Sequence, residues 1–395
     1  MASLPDNKRI ESIDLLRGLI MLIMALDHVR DYTNYDSMHF DPVDLNKTYG
    51  FLFFTRWITH LCAPLFVFLS GISAYLTGRT KTKKELSLLL LKRGLWLIIL
   101  ELTVVNFAWF ANPGFQFIGL LVIWMLGISM ICLAALVFLP RKYLLIIGFV
   151  LIGGHNLLDN IQMNGNSFGS FLWSICHHYQ GFEYHGFRIV VLYPAVPWIG
   201  LMAVGYSLGE IFTSKYSKEY RTRFLATAGL SCIALFLILR MTNFYGDPVP
   251  WTRQRSLALT FMSFFNLYKY PPSLDFLLIM VGIGLVFLAF AERPLGKLAQ
   301  VISVYGRVPL FYYILHLYAI HLVAIIIAVS QGLPWSYMVR LPGIPPGVPW
   351  LKTYGISLGG TYLVWILIIV ALYPLCKWYD DYKRRHNENQ WLSYL

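Results

Sequence analysis

Between Ile13 and Tyr32 the chain reads IDLLRGLIMLIMALDHVRDY, an apolar run broken by polar residues at intervals of three and four. At 3.6 residues per turn, Asp14, Arg17, Met21, Met24 and His28 fall along one stripe of a single helix. Comparable apolar runs recur along the whole length and predict ten helices, at roughly 12–33, 51–77, 90–111, 115–139, 142–160, 191–213, 223–243, 272–291, 304–329 and 355–378. Their lengths match the span of about 20 residues that crosses a hydrocarbon layer of roughly 30 Å. The segments 34–50, 160–190, 243–271 and 330–353 are long and rich in Gly, Pro, Asn, Tyr and Trp, as suits a vestibule for a polar substrate. Within the last of them, LPGIPPGVPW at 341–350 reads as a rigid loop.

Composition turns these helices into membrane spans. The 395 residues are 57% hydrophobic and only 13% charged, with a mean hydropathy of +0.59. The expected fold is therefore an all-α integral membrane protein of about ten transmembrane helices, one domain over 1–395 with a cytoplasmic tail from about 379. The first segment keeps Asp14 and Arg17 and lacks a small-residue cleavage site, so it reads as a retained helix.

The net charge of +12 would point to nucleic acid in a soluble protein, but its placement gives another reason. Of the 32 basic residues, 20 gather beside alternate helix ends, from Lys8 and Arg9, through Arg79 to Arg93, Arg141 and Lys142, Lys215 to Arg223, Arg293 and Lys297, to Lys377 to Arg385. The positive-inside rule then puts both termini in the cytoplasm and leaves no role for nucleic acid.

With that topology nine of the ten histidines, all but His386, lie within the membrane or toward its outer side, where proton-transfer chemistry is expected. Intramembrane ionisable groups are costly and mark substrate paths, proton paths or catalysis. The plainer alternative for the first helix is an Asp14–Arg17 pair at the inner surface with His28 at the outer end. His155 reads as an interfacial residue. Cys176, His177 and His178 lack metal-ligand spacing, and no metal is expected. The cysteines define no disulfide framework. Three further clusters join the stripe: Arg56 and His60 in TRWITHLCAPLFVFLSG, Asp275 in KYPPSLDFLL, and Arg307, Tyr312, Tyr313, His316 and His321 in GRVPLFYYILHLYAIH.

SIDLLRG with a histidine eleven residues after its arginine, followed by TRWITHLCAPLFVFLSG, YPAVPWIG and GRVPLFYY, resembles bacterial membrane proteins of the heparan-α-glucosaminide N-acetyltransferase catalytic-domain family. More widely the chain is similar to transmembrane acyltransferases, including acyltransferase family 3, where a first-helix arginine is likewise followed eleven residues later by an essential histidine. By position this marks Arg17 and His28. In the lysosomal enzyme of the family an asparagine matches His28, and the proposed catalytic histidine lies eleven residues further on, at the position of His39 here.

The resemblance implies a multi-pass acyltransferase of the cytoplasmic (inner) membrane. It would take acetyl or a longer acyl group from cytosolic acyl-CoA, as co-substrate, to a hydroxyl or amine of an outer acceptor such as a sugar or glycan. Dimers occur among relatives, so a homodimer is one option. Arg17 and His28 are about 16 Å apart along the helix, within reach of a pantetheine arm. In this scheme His28 is the general base, His39 the second choice, and His60 or Arg56 orients the base or binds the oxyanion. Asp14 and Arg17 line the donor channel and Asp27 orients a loop or the acceptor, with Asp275, Arg307, Tyr313 and His316 as further substrate- or donor-binding candidates. The same buried groups also suit a proton-coupled transporter of a small polar solute.

Overall fold

The computed structural model describes residues 10–294, 296–339, 349–386 and Glu388. Lys8, Arg9, Arg340, the stretch 341–348 and most of the tail beyond 386 lie outside the described residues. Helix α1 (Glu11–Thr33) is followed by α2 (Tyr35–His39), α3 (Gly50–Thr59), α4 (Cys62–Gly78), α5 (Lys83–Leu100) and α6 (Asn106–Phe110). Then come α7 (Val122–Leu136), α8 (Arg141–Gly154), α9 (Phe168–Cys176), α10 (Val196–Leu208), α11 (Lys218–Thr242) and α12 (Leu257–Phe265). The last four are α13 (Leu274–Ala291), α14 (Lys297–Arg307), α15 (Pro309–Ser330) and α16 (Leu358–Arg385).

Among the described residues six segments are long and apolar enough to cross a membrane: Gly50–Gly78, Arg141–Leu158, Lys218–Thr242, Leu274–Ala291, Pro309–Ser330 and Leu358–Arg385. Val122–Leu136 and Val196–Phe212 are shorter apolar helices. The other two expected spans coincide with α1 and with α5 to α6. Helix α1 is long but carries Asp14, Arg17, Asp27 and Arg30. It packs against α3, α4, α13, α14, α15 and α16, so its polar residues face protein.

Two expected spans are broken where the sequence removes a backbone donor. Pro64 has no N–H for the His60 carbonyl, and at the junction of α3 and α4 the N–H groups of His60 and Leu61 bond three residues back, to Trp57 and Ile58. Val308 precedes Pro309 and leaves the helical region (φ −128°, ψ 49°), which separates α14 from α15.

The all-α expectation needs one amendment. Residues 117–120, expected to open a span, form strand β1 (Phe117–Leu120), parallel to β3 (Phe187–Val191), which pairs antiparallel with β2 (Gln180–Tyr184). His185 and Gly186 link β2 to β3 with φ of 49° and 84°, the two left-handed residues of a tight hairpin turn. Between α5 and α6, Glu101–Val105 form a π turn. From it the Glu101 carboxylate accepts the N–H groups of Ile123 and Trp124, both at 2.9 Å, and caps α7.

Candidate active site

The polar stripe of α1 runs past two cavities. The larger, of about 250 Å³, is lined by Arg17, Ser70, Ser73, Arg93, Trp96 and Lys383 among others. The smaller, of about 40 Å³, is lined by Asp27, His28, Thr59, Tyr193, Lys269 and Tyr313, with Met24 and Cys62 among its apolar contributors. Phe66, Ile123, Leu126 and Tyr313 belong to both walls. The cavities are therefore neighbours, divided by three apolar side chains and a phenol.

Around the smaller cavity the charges form a compact cluster. Asp27 accepts from Arg30 at 2.6 Å, from Arg56 at 3.0 and 3.1 Å, and from the Thr59 hydroxyl at 2.6 Å. Arg30 is 1% exposed and also meets Asp31 at 2.6 Å. Charges this deep persist because they are paired and hydrogen-bonded. Lys269, 8% exposed, lines the cavity and makes no ion pair among the described residues. Its ammonium lies 5.2 Å from the centroid of the neighbouring Tyr270 ring.

His28 is buried and its Nδ1 lies 2.8 Å from Nε2 of His316 on α15. The Trp109 ring stands edge-on to His28, with centroids 4.7 Å apart. Trp109 sits on α6, so the π turn that caps α7 also delivers the indole that buttresses His28.

At the larger cavity Arg17 donates to the Ser73 hydroxyl at 2.7 Å and to the Gly306 carbonyl at 3.3 Å, and lies 3.6 Å from Asp14. Arg307 pairs with Asp380 at 2.8 Å, and Arg384 pairs with the same carboxylate. This fastens α14 to the end of α16 that carries Lys383.

The remaining candidates stand apart from both cavities. His60 is buried, its ring 5.4 Å from that of Phe276. His39 is exposed at the end of α2, with Nδ1 2.7 Å from the Tyr35 carbonyl. Asp275 is buried at the start of α13, where its backbone N–H bonds the Gly246 carbonyl at 2.9 Å. His155 is buried, its ring nitrogens 2.8 and 2.9 Å from the carbonyl oxygens of Ile152 and Pro272. Among the described residues no three His, Cys, Asp or Glu side chains stand together as a metal site.

Sequence reasoning singled out neither Lys269, Tyr193, Trp109 nor the serines Ser70 and Ser73. Lys269 directly precedes the YPPS stretch that leads into α13, and a basic residue wedged against two prolines was the signal to follow.

A family model described as "Heparan-alpha-glucosaminide N-acetyltransferase, catalytic" matches residues 9–245, which include α1, the cavity-lining helices α4, α5 and α7, and the charged cluster apart from Lys269. No curated protein matches the chain.

Proposed function

We propose a function that starts from the family: the chain belongs to the heparan-alpha-glucosaminide N-acetyltransferase catalytic family and is a multi-pass membrane acyltransferase. In our reading it moves an acetyl or other short acyl group from cytosolic acyl-CoA to a hydroxyl or amine of an acceptor, such as a sugar, on the opposite side of the membrane. Ten spans with both termini cytoplasmic accompany this reading, and they put the Arg17 end of α1 toward the cytosol.

One observation carries the proposal. The two neighbouring cavities lie along one helix, with basic residues at one and a histidine at the other. Arg17, Arg93 and Lys383 offer charge-assisted contacts suited to the phosphates of CoA, with serines beside them. His28 and Lys269 offer a base and a cation at the far end.

The reaction assigned to them is direct transfer. The acceptor passes its proton to His28 as its oxygen or nitrogen bonds to the thioester carbonyl carbon. Lys269 holds the developing oxyanion, the carbon–sulfur bond breaks, and the CoA thiolate leaves through the larger cavity with the proton returned from His28. Arg56 and Arg30 hold the Asp27 carboxylate in place next to the base in the chain. Tyr313, on both walls, borders the point of transfer.

The experiment is acetyl-CoA binding and thioester consumption by protein in nanodiscs, with and without sugar acceptors, for wild type, His28→Ala, His39→Ala and His60→Ala. Turnover in wild type, with His28→Ala binding acetyl-CoA but inert, is the expected result. Loss confined to His39→Ala would move the base to α2. Absence of any CoA interaction, with acceptor flux across the membrane instead, would replace transfer by transport.

A further inference from the structure

His316 contributes to neither cavity wall, yet its ring is the hydrogen-bond partner of the proposed base. Its own Nδ1 lies 2.9 Å from the carbonyl oxygen of Tyr312, one turn earlier on α15. A carbonyl oxygen only accepts, so that nitrogen carries the hydrogen. In a neutral imidazole Nε2 is then a bare acceptor, and Nδ1 of His28, 2.8 Å away, must be the donor. The hydrogen positions follow from this chain of partners. They leave Nε2 of His28 with a free lone pair.

Ring geometry agrees. The two imidazoles are inclined by only 11° with centroids 5.0 Å apart, a separation longer than the 2.8 Å contact by about the sum of two ring radii. The rings thus meet edge to edge in nearly one plane, as a straight N–H···N bond requires, rather than face to face. Trp109, edge-on to His28, opposes rotation of the ring out of that plane.

We infer that His316 is a positioning residue for His28: with the Tyr312 carbonyl it fixes the tautomer that presents Nε2 as the base, and it shares the proton that His28 takes up. The inference rests on the reading of His28 as the base. When Nε2 accepts the acceptor's proton, the Nδ1 proton of His28 can pass to Nε2 of His316, whose Nδ1–H stays on the Tyr312 oxygen. Return of both protons, the last to the departing CoA thiolate, restores two neutral rings. A neutral partner serves a site within a membrane, because a carboxylate in the same place would add a second buried charge at rest.

The test compares His316→Leu, which removes the acceptor, with His316→Gln, whose amide oxygen can still accept from His28 but cannot take its proton. Expected is a fall in kcat of roughly 100- to 10,000-fold for His316→Leu with KM for acetyl-CoA unchanged, the range seen when a catalytic histidine loses its orienting partner. His316→Gln should recover at least tenfold. Wild-type kcat in His316→Leu, or equal losses in both variants, overturns the inference. Nitrogen-15 NMR of histidine-labelled wild-type protein in nanodiscs, assigned with His28→Ala, gives an answer that needs no folded His316 variant. A hydrogen on Nδ1 of His28 supports the inference, and one on Nε2 defeats it. Activity surviving in His28→Ala would sink the reading of the base itself, whereas an inert His28→Ala beside fully active His316 variants would sink only the role of His316.

Discussion

Gly18 on α1 and Gly306 at the end of α14 meet backbone to backbone: a β-carbon on Gly306 would stand 2.6 Å from the Gly18 nitrogen and 1.9 Å from the Asp14 carbonyl oxygen. One on Gly18 would stand 2.1 Å from the carbonyl oxygen of Ile302. Small residues at both positions let the helices approach closely, which sets Arg17 against the Gly306 carbonyl at the edge of the larger cavity. Gly306→Val should destabilise the fold by about 1–3 kcal/mol or more, the scale of an overpacked contact that neither backbone can relieve. Thermal unfolding in detergent measures it, and an unchanged melting temperature would show that α1 and α14 can separate without loss.

Asp27→Asn keeps the shape of the side chain but leaves Arg30 and Arg56 facing a neutral amide. Breaking one member of a buried ion cluster costs about 3–5 kcal/mol, so this variant should lose much of its folded fraction. Arg56→Met should be milder, because Arg30 still meets Asp27 at 2.6 Å. The ranking of the two by thermal unfolding is the check; Arg56→Met below Asp27→Asn would contradict it.

Arg17→Ala should raise KM for acetyl-CoA about tenfold while kcat changes little, consistent with loss of a charged contact worth roughly 1.5–3 kcal/mol, part of it taken over by Arg93 and Lys383. Initial-rate kinetics separate the two parameters. A fall in kcat alone would place Arg17 outside the donor site.

For Lys269→Met the expected pattern is the reverse, a kcat lower by about 100- to 1,000-fold with near-normal acetyl-CoA binding, as for loss of one oxyanion donor. Equal activity in the variant would mean that the ammonium only balances Asp27.

His39→Ala should retain kcat within about twofold of wild type, since surface substitutions away from special features have small effects. Its ring is exposed and bonds only the Tyr35 carbonyl among the described residues. Steady-state rates with a sugar acceptor decide the matter.

Much of this arrangement was legible in the chain because helices repeat every 3.6 residues. The spacing of Arg17, Met24 and His28 already puts them on one line, and that line faces the cavities. The breaks at His60 and Val308 were legible too, since a proline announces the missing donor or the restricted neighbour. What stayed hidden depends on distance along the chain. His28 finds His316 across 288 residues, and no local pattern encodes that meeting. Strand β1 was hidden for another reason: FIGL is a short apolar run, and such a run reads equally as the first turn of a helix. Arg307 stood out as a charge in apolar sequence, but that signal does not separate a substrate contact from the pairing it makes with Asp380. Lys269 was hidden in plain view, because a lysine outside the apolar runs is the commonest of sights and only the fold turns it inward.

On the proposed reading, Phe66, Ile123, Leu126 and Tyr313, the shared wall of the two cavities, also bear on the cell's ionic gradients. A layer of hydrocarbon and one phenol is a poor solvent for a hydrated ion. A short acyl group is uncharged and small enough to be handed over at such a barrier while its nucleotide carrier stays behind. On the proposed reading, chemical work prepared in the cytosol is spent on the far side of the bilayer without a leak, and widening the partition, as in Phe66→Ala, would trade that seal for conductance.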